Sequence, residues 1–209
     1  AGGRVVAVTD LNAENARKVA DRIGATTFPS SAELIASNDV DAVMICSFGP
    51  AHEPDVIAAV EAGTYVFCEK PLAPTADACA RIMEAEQKAG KKLVTVGFMR
   101  RFDSSYREMK AILDISENGA VRLSDQELVQ RADLQGRRNR LTMDHNQRFG
   151  QAFVREVQEW IAAVSQDRHT GSTAWDGYAA ACVCDAGVKA LEADGEVAVE
   201  MMPKPAFYA

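Results

Sequence analysis

Three runs of the chain are too continuously apolar to have a wet face: VDAVMICS (Val40–Ser47), YVFC (Tyr65–Cys68) and KLVTVGF (Lys92–Phe98). A half-exposed strand alternates apolar and polar residues, whereas a strand covered on both faces does not. Helical patterns separate them. LNAENARKVADRIG has apolar residues at Leu11, Ala16, Val19, Ala20 and Ile23, with Gly24 as its stop. AELIAS follows a Ser30/Ser31 cap, EPDVIAAVEAG ends at Gly63, and a further helix runs from Thr75 to Ala89. With RVVAVT (Arg4–Thr9) as another short β-branched run, the first half predicts a parallel sheet with helices on both faces.

The second half reads differently. AVRLS and QELVQRA alternate, as half-exposed antiparallel strands do. Gln147–Val164 puts Phe149, Phe153, Val157, Trp160, Ile161 and Val164 on one helical face. Another helix is expected from about Trp175 to Leu191, and EVAVEM as a closing strand. The boundaries expected are residues 1–96 for the parallel α/β part and 97–209 for an α+β part with a partly antiparallel sheet.

Charge narrows the partners. The net charge of −7 argues against a nucleic-acid or anionic-membrane surface, since both require clustered Lys and Arg. The one basic cluster, Gln135–Arg140, reads as a solvated loop. No apolar run is long enough to cross a bilayer, and the N-terminus lacks a signal-peptide layout. The five cysteines are too few for a disulfide scaffold. Cys46 and Cys68 fall inside apolar strands, and Cys182 and Cys184 point different ways on a helix, so no metal site is expected. A reduced, cytoplasmic setting follows.

Ligands of open parallel sheets bind beyond the carboxyl ends of the strands. Asp10, Ser47, Glu69–Lys70 and Arg100–Arg101 all fall at such ends. Asp10 suits the hydroxyls of an adenosine ribose, or else a helix N-cap. Ser47 opens a turn into a helix, a place that suits a phosphate. His52, at that helix start, reads as a surface cap. Lys70 lies between a buried strand and Pro71; burial lowers a lysine's pKa and the neighbouring Glu69 raises it, a balance that suits proton transfer. The bland alternative is a surface ion pair at a turn. Pro71 admits a cis peptide bond.

The stretches VDAVMICSFGPAHEPDVIAAVEAGTYVFCEKPLA, VGFMRRFDSSY and TAWDGYAAACVCDAGVKALE resemble the Gfo/Idh/MocA oxidoreductase family, and the latter two its inositol 2-dehydrogenase branch. The resemblance covers nearly the whole chain. It implies a Rossmann-like doubly wound parallel sheet, here without its first strand, for residues 1–96. For residues 97–209 it implies a domain for substrate and oligomerisation. It implies NAD-dependent oxidation of a secondary hydroxyl of a cyclitol or sugar to a ketone, as in inositol catabolism, by a homodimer or homotetramer. Lys70 matches the catalytic lysine that contacts the reacting hydroxyl. Asp10, Ser47, Phe48, Pro50, Glu69, Met99 and Arg100 match cofactor-binding positions. Lys70, Arg100, His145 and Phe153 match positions near the substrate.

The sequence also departs from the family pattern. The family's G-x-G-x-x-G lies before the point where this chain begins. Its D-x-x-x-H section, whose His is the general base, is expected between MKAILD and ISENGAVRL, so the chain has an apparent join near Asp114–Ile115. His145 stands where relatives acting on myo-inositol carry Trp, and Phe153–Val154 where they carry Tyr-Asp; the cyclitol or sugar is left open. The other class of function is a non-catalytic remnant that oligomerises or senses a ligand. A chain mass above that of these 209 residues favours the enzyme.

Overall fold

The computed structural model describes residues 2–115, 130–133, 136–139, 145–193 and 195–209. They fall into two compact units, residues 1–97 with 159–209, and residues 98–158.

The first unit is built on β3 (Ala42–Ile45), β4 (Tyr65–Cys68) and β5 (Val94–Val96), parallel and hydrogen-bonded in that order. β4 lies in the middle and every one of its residues is buried, which is why its sequence shows no alternation. Among the described residues β3 pairs with β4 alone, and Met44 on it is exposed. A second parallel pair, β1 (Ala7–Val8) with β2 (Thr26–Thr27), has Ala7 opposite Thr26. The two sets are the arms of a doubly wound sheet; among the described residues no strand joins them. The strand expected over residues 4–9 is only two residues long, because extended chain becomes strand only where a neighbour completes its ladder. β2 had no sequence signal.

The local signals set the helices. α1 (Ala13–Ile23) starts where the Asn12 side chain accepts the Glu14 and Asn15 N–H groups, and ends at Gly24 with φ 69°. Its expected core stripe is corrected: Ala16 and Ala20 are buried, whereas Leu11, Val19 and Ile23 are exposed. The two short strands beneath α1 cover only its narrow alanine face. α2 (Ser31–Ile35) is capped by Ser30, and α4 (Ala76–Ala89) by Thr75. α3 (His52–Glu61), α4 and α7 (Ala174–Ala193) cover the β3–β5 sheet, with α3 and α7 both packed on α4. The core gathers Val56, Ala59, Val60, Phe67, Ile82, Met83, Leu93 and Val94. No helix of the described residues is long and apolar enough to cross a membrane.

A buried carboxylate ties the C-terminus to this core. Glu86 of α4 accepts the Leu93 and Val94 N–H groups through Oε1, at 2.6 and 2.7 Å. Its Oε2 accepts the Tyr208 hydroxyl at 2.7 Å. Burial raises the Glu86 carboxyl above the ordinary range, against the opposing pull of these bonds. The closing strand expected at EVAVEM is not formed. Among the described residues the chain there has no ladder partner, and Met202 N–H donates to the Tyr178 hydroxyl.

The second unit holds α5 (Ser104–Ile115), the antiparallel pair β6 (Gln130–Asp133) and β7 (Gly136–Asn139), and the start of α6 (His145–Val164). AVRLS lies outside the described residues, and QELVQRA meets β6 from Gln130 on. Gly136–Asn139, in the basic stretch expected as a solvated loop, is a strand, because β6 supplies its ladder. Met99, Phe102, Phe149 and Ala152 form an apolar cluster, with Tyr106 and Phe153 packed against it. The Asp103 carboxylate accepts the Ser105 and Tyr106 N–H groups at the head of α5 and pairs with Arg148 at 2.8 Å. Burial pushes the Asp103 carboxyl up, but Arg148 and the two N–H groups outweigh it and hold the carboxyl below its ordinary value.

Candidate active site

The register brings the ends of the main sheet level. Ile45 lies opposite Cys68, and Cys68 opposite Val96. The ladder then runs one bond further on each side: Glu69 N–H donates to the Ile45 carbonyl at 2.9 Å and Gly97 N–H to the Cys68 carbonyl at 2.8 Å. Glu69 is therefore as fixed as a strand residue, and Lys70 is the first residue beyond the ladder. The Lys70–Pro71 bond is cis.

Lys70 is exposed, and among the described residues no ion pair reaches its ammonium. The Glu69 carboxylate takes the Lys70 backbone N–H instead, at 3.2 Å. The surface ion pair that was the bland alternative is thus not formed. Glu69 holds the lysine's backbone and leaves its ammonium to face outward. Gly97, which carried no signal in the sequence, makes this possible: a Cβ there would stand 3.2 Å from Glu69 Oε2 and 3.2 Å from the Phe67 ring. Beneath, burial pushes the Cys68 thiol up, so it packs as a neutral, small apolar group. Cys46, expected within a strand, lies just past β3 and is exposed.

On the neighbouring strand end, Ser47, Phe48 and Pro50 are exposed, with Phe48 at 61%. They lead through a short 3-10 turn (Gly49–Ala51) into α3. His52 corrects its reading as a surface cap. It is 1% exposed, with Nδ1 2.8 Å from the Pro71 carbonyl oxygen and Nε2 2.8 Å from that of Ser47. The missed signal was its spacing, since His52, Val56, Ala59 and Val60 share one face of α3.

Asp10 follows β1, on the separate strand pair. Its Oδ1 accepts the Asn12 N–H at 2.7 Å, while Asn12 itself caps α1. Asp10 is exposed, and among the described residues its Oδ2 has no partner. In the second unit, Met99 is buried in the apolar cluster and Arg100 is exposed, its guanidinium 5.4 Å from the Phe149 ring. Phe153 packs against the same cluster. The His145 side chain lies outside the described residues. Cys182 is buried and Cys184 exposed, and no metal-binding cluster occurs among the described residues.

The donor set of the first unit fits a dinucleotide. It offers a carboxylate with an open oxygen, a hydroxyl-bearing turn ahead of a helix, and an exposed aromatic at the carboxyl edge of a parallel sheet.

Residues 1–98 match the model of the Gfo/Idh/MocA oxidoreductase family, NAD-binding Rossmann fold. Inositol 2-dehydrogenase 3 of Saccharopolyspora erythraea is 32% identical over 307 residues, covering 99% of this chain and 91% of the relative. The inositol 2-dehydrogenase/D-chiro-inositol 3-dehydrogenase of Shouchella clausii is 33% identical over 310 residues, covering 99% and 90%. Both alignments are longer than the 209-residue chain, so part of each relative faces no residue of it. The fold is similar to that of the myo-inositol dehydrogenase from Lactobacillus casei solved with NAD(H) and myo-inositol. The TM-score is 0.87 at 24% identity, over 100% of this chain and 93% of that one.

Proposed function

The chain belongs to the Gfo/Idh/MocA oxidoreductase family, whose Rossmann fold binds NAD, and from that premise we propose that it oxidises a secondary hydroxyl of a cyclitol to a ketone. The observation that carries this reading is the Lys70 ammonium, exposed and without an ion pair among the described residues, one residue beyond a hydrogen-bonded strand, with Glu69 holding its backbone. The inositol dehydrogenases among the relatives support a polyol of that ring type.

Asp10 would hold the adenosine ribose through its hydroxyls, and Ser47, Phe48, Pro50 and Glu69 would line the cofactor cleft. NAD, when bound, accepts the hydride. Lys70 would donate a hydrogen bond to the reacting oxygen and place a positive charge beside it while that oxygen's proton passes to a general base, in the family pattern the His of the D-x-x-x-H section that these 209 residues lack. That charge grows in value as the alkoxide develops, so it favours the transition state over the ground state. Met99, Arg100, His145 and Phe153 are proposed to border the nicotinamide or the substrate, on the family resemblance alone. On the same ground, residues 1–96 are assigned to NAD binding and residues 97–209 to substrate and assembly. The protein is proposed to work in the cytoplasm as a homodimer or homotetramer.

Steady-state kinetics with NAD and a panel of cyclitols and sugars tests the reading. Ketone formation with matching NADH production is expected, with the best substrate a cyclitol. NADH production with none of the panel would discard the assignment.

A further inference from the structure

We propose that His52 is a positioning residue that sets the turn carrying Lys70 against the turn carrying Ser47 and Phe48. Its ring spans two backbone carbonyls that belong to different strand ends. Nδ1 reaches Pro71, 19 residues away, and Nε2 reaches Ser47, five residues back. Both carbonyls lie beyond the ends of β3 and β4, where no ladder serves them. A histidine merely satisfied in a core needs one such partner. His52 lies at the junction of two turns and shares the buried face of α3 with Val56, Ala59 and Val60, so the ring cannot swing away from either contact.

The consequence follows from what each carbonyl is attached to. Pro71 directly follows Lys70, so a shift of its carbonyl moves the lysine's backbone. The Ser47 carbonyl fixes the turn that presents Ser47 and Phe48. Loss of the first contact displaces the reacting group, and small displacements of such groups cost rate. Loss of the second loosens the proposed cofactor turn and costs affinity. This rests on the function proposed above for Lys70 and Ser47.

The two contacts can be removed separately. His52→Asn keeps an amide near the place of Nδ1 and loses the contact with Ser47; His52→Gln keeps an amide near the place of Nε2 and loses the contact with Pro71. In the full chain, the Gln variant is expected to lose about tenfold in kcat with the KM for NAD little changed. The Asn variant is expected to raise the KM for NAD about tenfold with kcat little changed. Crystal structures should show the Pro71 turn moved in the first variant and the Ser47 turn moved in the second. Kinetic constants that fall together in both variants in step with Tm, with neither turn moved, overturn the proposal. If the wild-type protein oxidises no polyol, the assigned reaction fails, while the displaced or undisplaced turns still decide the role of His52. In the wild-type protein, a His52 ring N–H should be resolved by NMR and exchange slowly with water. A fast-exchanging ring overturns the proposal even if neither variant folds.

Discussion

Lys70 owes its placement to a neighbour that spends its own charge on the backbone. Because Glu69 bonds the Lys70 N–H and not its ammonium, the lysine is anchored at one end and available at the other. Lys70→Met keeps the apolar stem and removes the charge, so the fold should survive. Its kcat is expected to fall about a hundredfold or more, the scale of a donor aimed at developing negative charge, and steady-state kinetics on the best cyclitol measures it. Turnover close to wild type would remove Lys70 from the chemistry. At Asp10, a carboxylate facing a 2′-phosphate is a like-charge contact, so Asp10→Ser should relax the preference for NAD. The ratio of kcat/KM for NAD to that for NADP reads it; an unchanged ratio sinks this role. Glu86 makes a pH prediction with a definite sign. Its folded-state pKa lies above the ordinary carboxyl value of about 4.3. Its contribution to stability is therefore whole below that value and is lost as pH rises through the raised one. Glu86→Gln keeps an oxygen for the Leu93 and Val94 N–H groups and turns its amide to Tyr208. Tm of the variant should decline less from about pH 4 to pH 7 than that of the wild type, and parallel curves would refute the assignment.

At the scale of elements, the loop after β4 is held from two sides. His52 at the head of α3 meets Pro71, and α7 presses on Leu72. Gly177 is what lets α7 come so close: a Cβ there would stand 2.6 Å from Leu72 Cδ2 and 2.8 Å from its Cβ. Leu72 is 1% exposed and has nowhere to retreat. Gly177→Ala should cost about 1–3 kcal/mol, the usual range for overpacking a tight core. Because Leu72 is two residues from Lys70, kcat should fall as well. Chemical denaturation and kinetics on the same preparation check both, and a variant with wild-type stability and turnover would show that the loop yields freely. α5 illustrates how one residue serves two elements: Asp103 caps the helix and pairs with Arg148 of α6.

For the whole molecule, cofactor binding and stability are linked. A ligand that binds only the folded state stabilises it by about 2.7 kcal/mol at a concentration a hundred times its Kd. NAD is expected to raise Tm accordingly, and NADP at the same concentration to raise it less, because Asp10 opposes the extra phosphate. Differential scanning calorimetry with each dinucleotide makes the comparison. Equal shifts would contradict the assigned preference; no shift with either would contradict NAD binding itself. Residues 159–209 return to the first unit and supply α7 and Tyr208 to it, so the unit with the candidate site is assembled from both ends of the described chain.

Local chemistry was legible in the order of residues. The unbroken apolar runs marked β3, β4 and β5, because burial on both faces abolishes alternation. The cap at Ser30 and the stops at Gly24 and Gly63 were readable, because they act within a few residues of themselves. Glu69–Lys70–Pro71 stood out as charge at the end of a buried strand. The sequence could not supply what depends on a distant partner. Arg4–Thr9 has strand composition throughout, yet only the ladder with Thr26–Thr27 decides which residues are strand. EVAVEM alternates like a strand and finds no ladder partner among the described residues. Leu11, Val19 and Ile23 have core periodicity, but only the surface beneath α1 determines how much of that face is covered. The partner of Glu69, the burial of His52 between two turns and the space kept by Gly97 and Gly177 all follow from the sheet's register and the helices packed on it. Hydrogen bonds and close packing act over a few ångströms, and only the folded chain brings residues far apart in sequence within that distance.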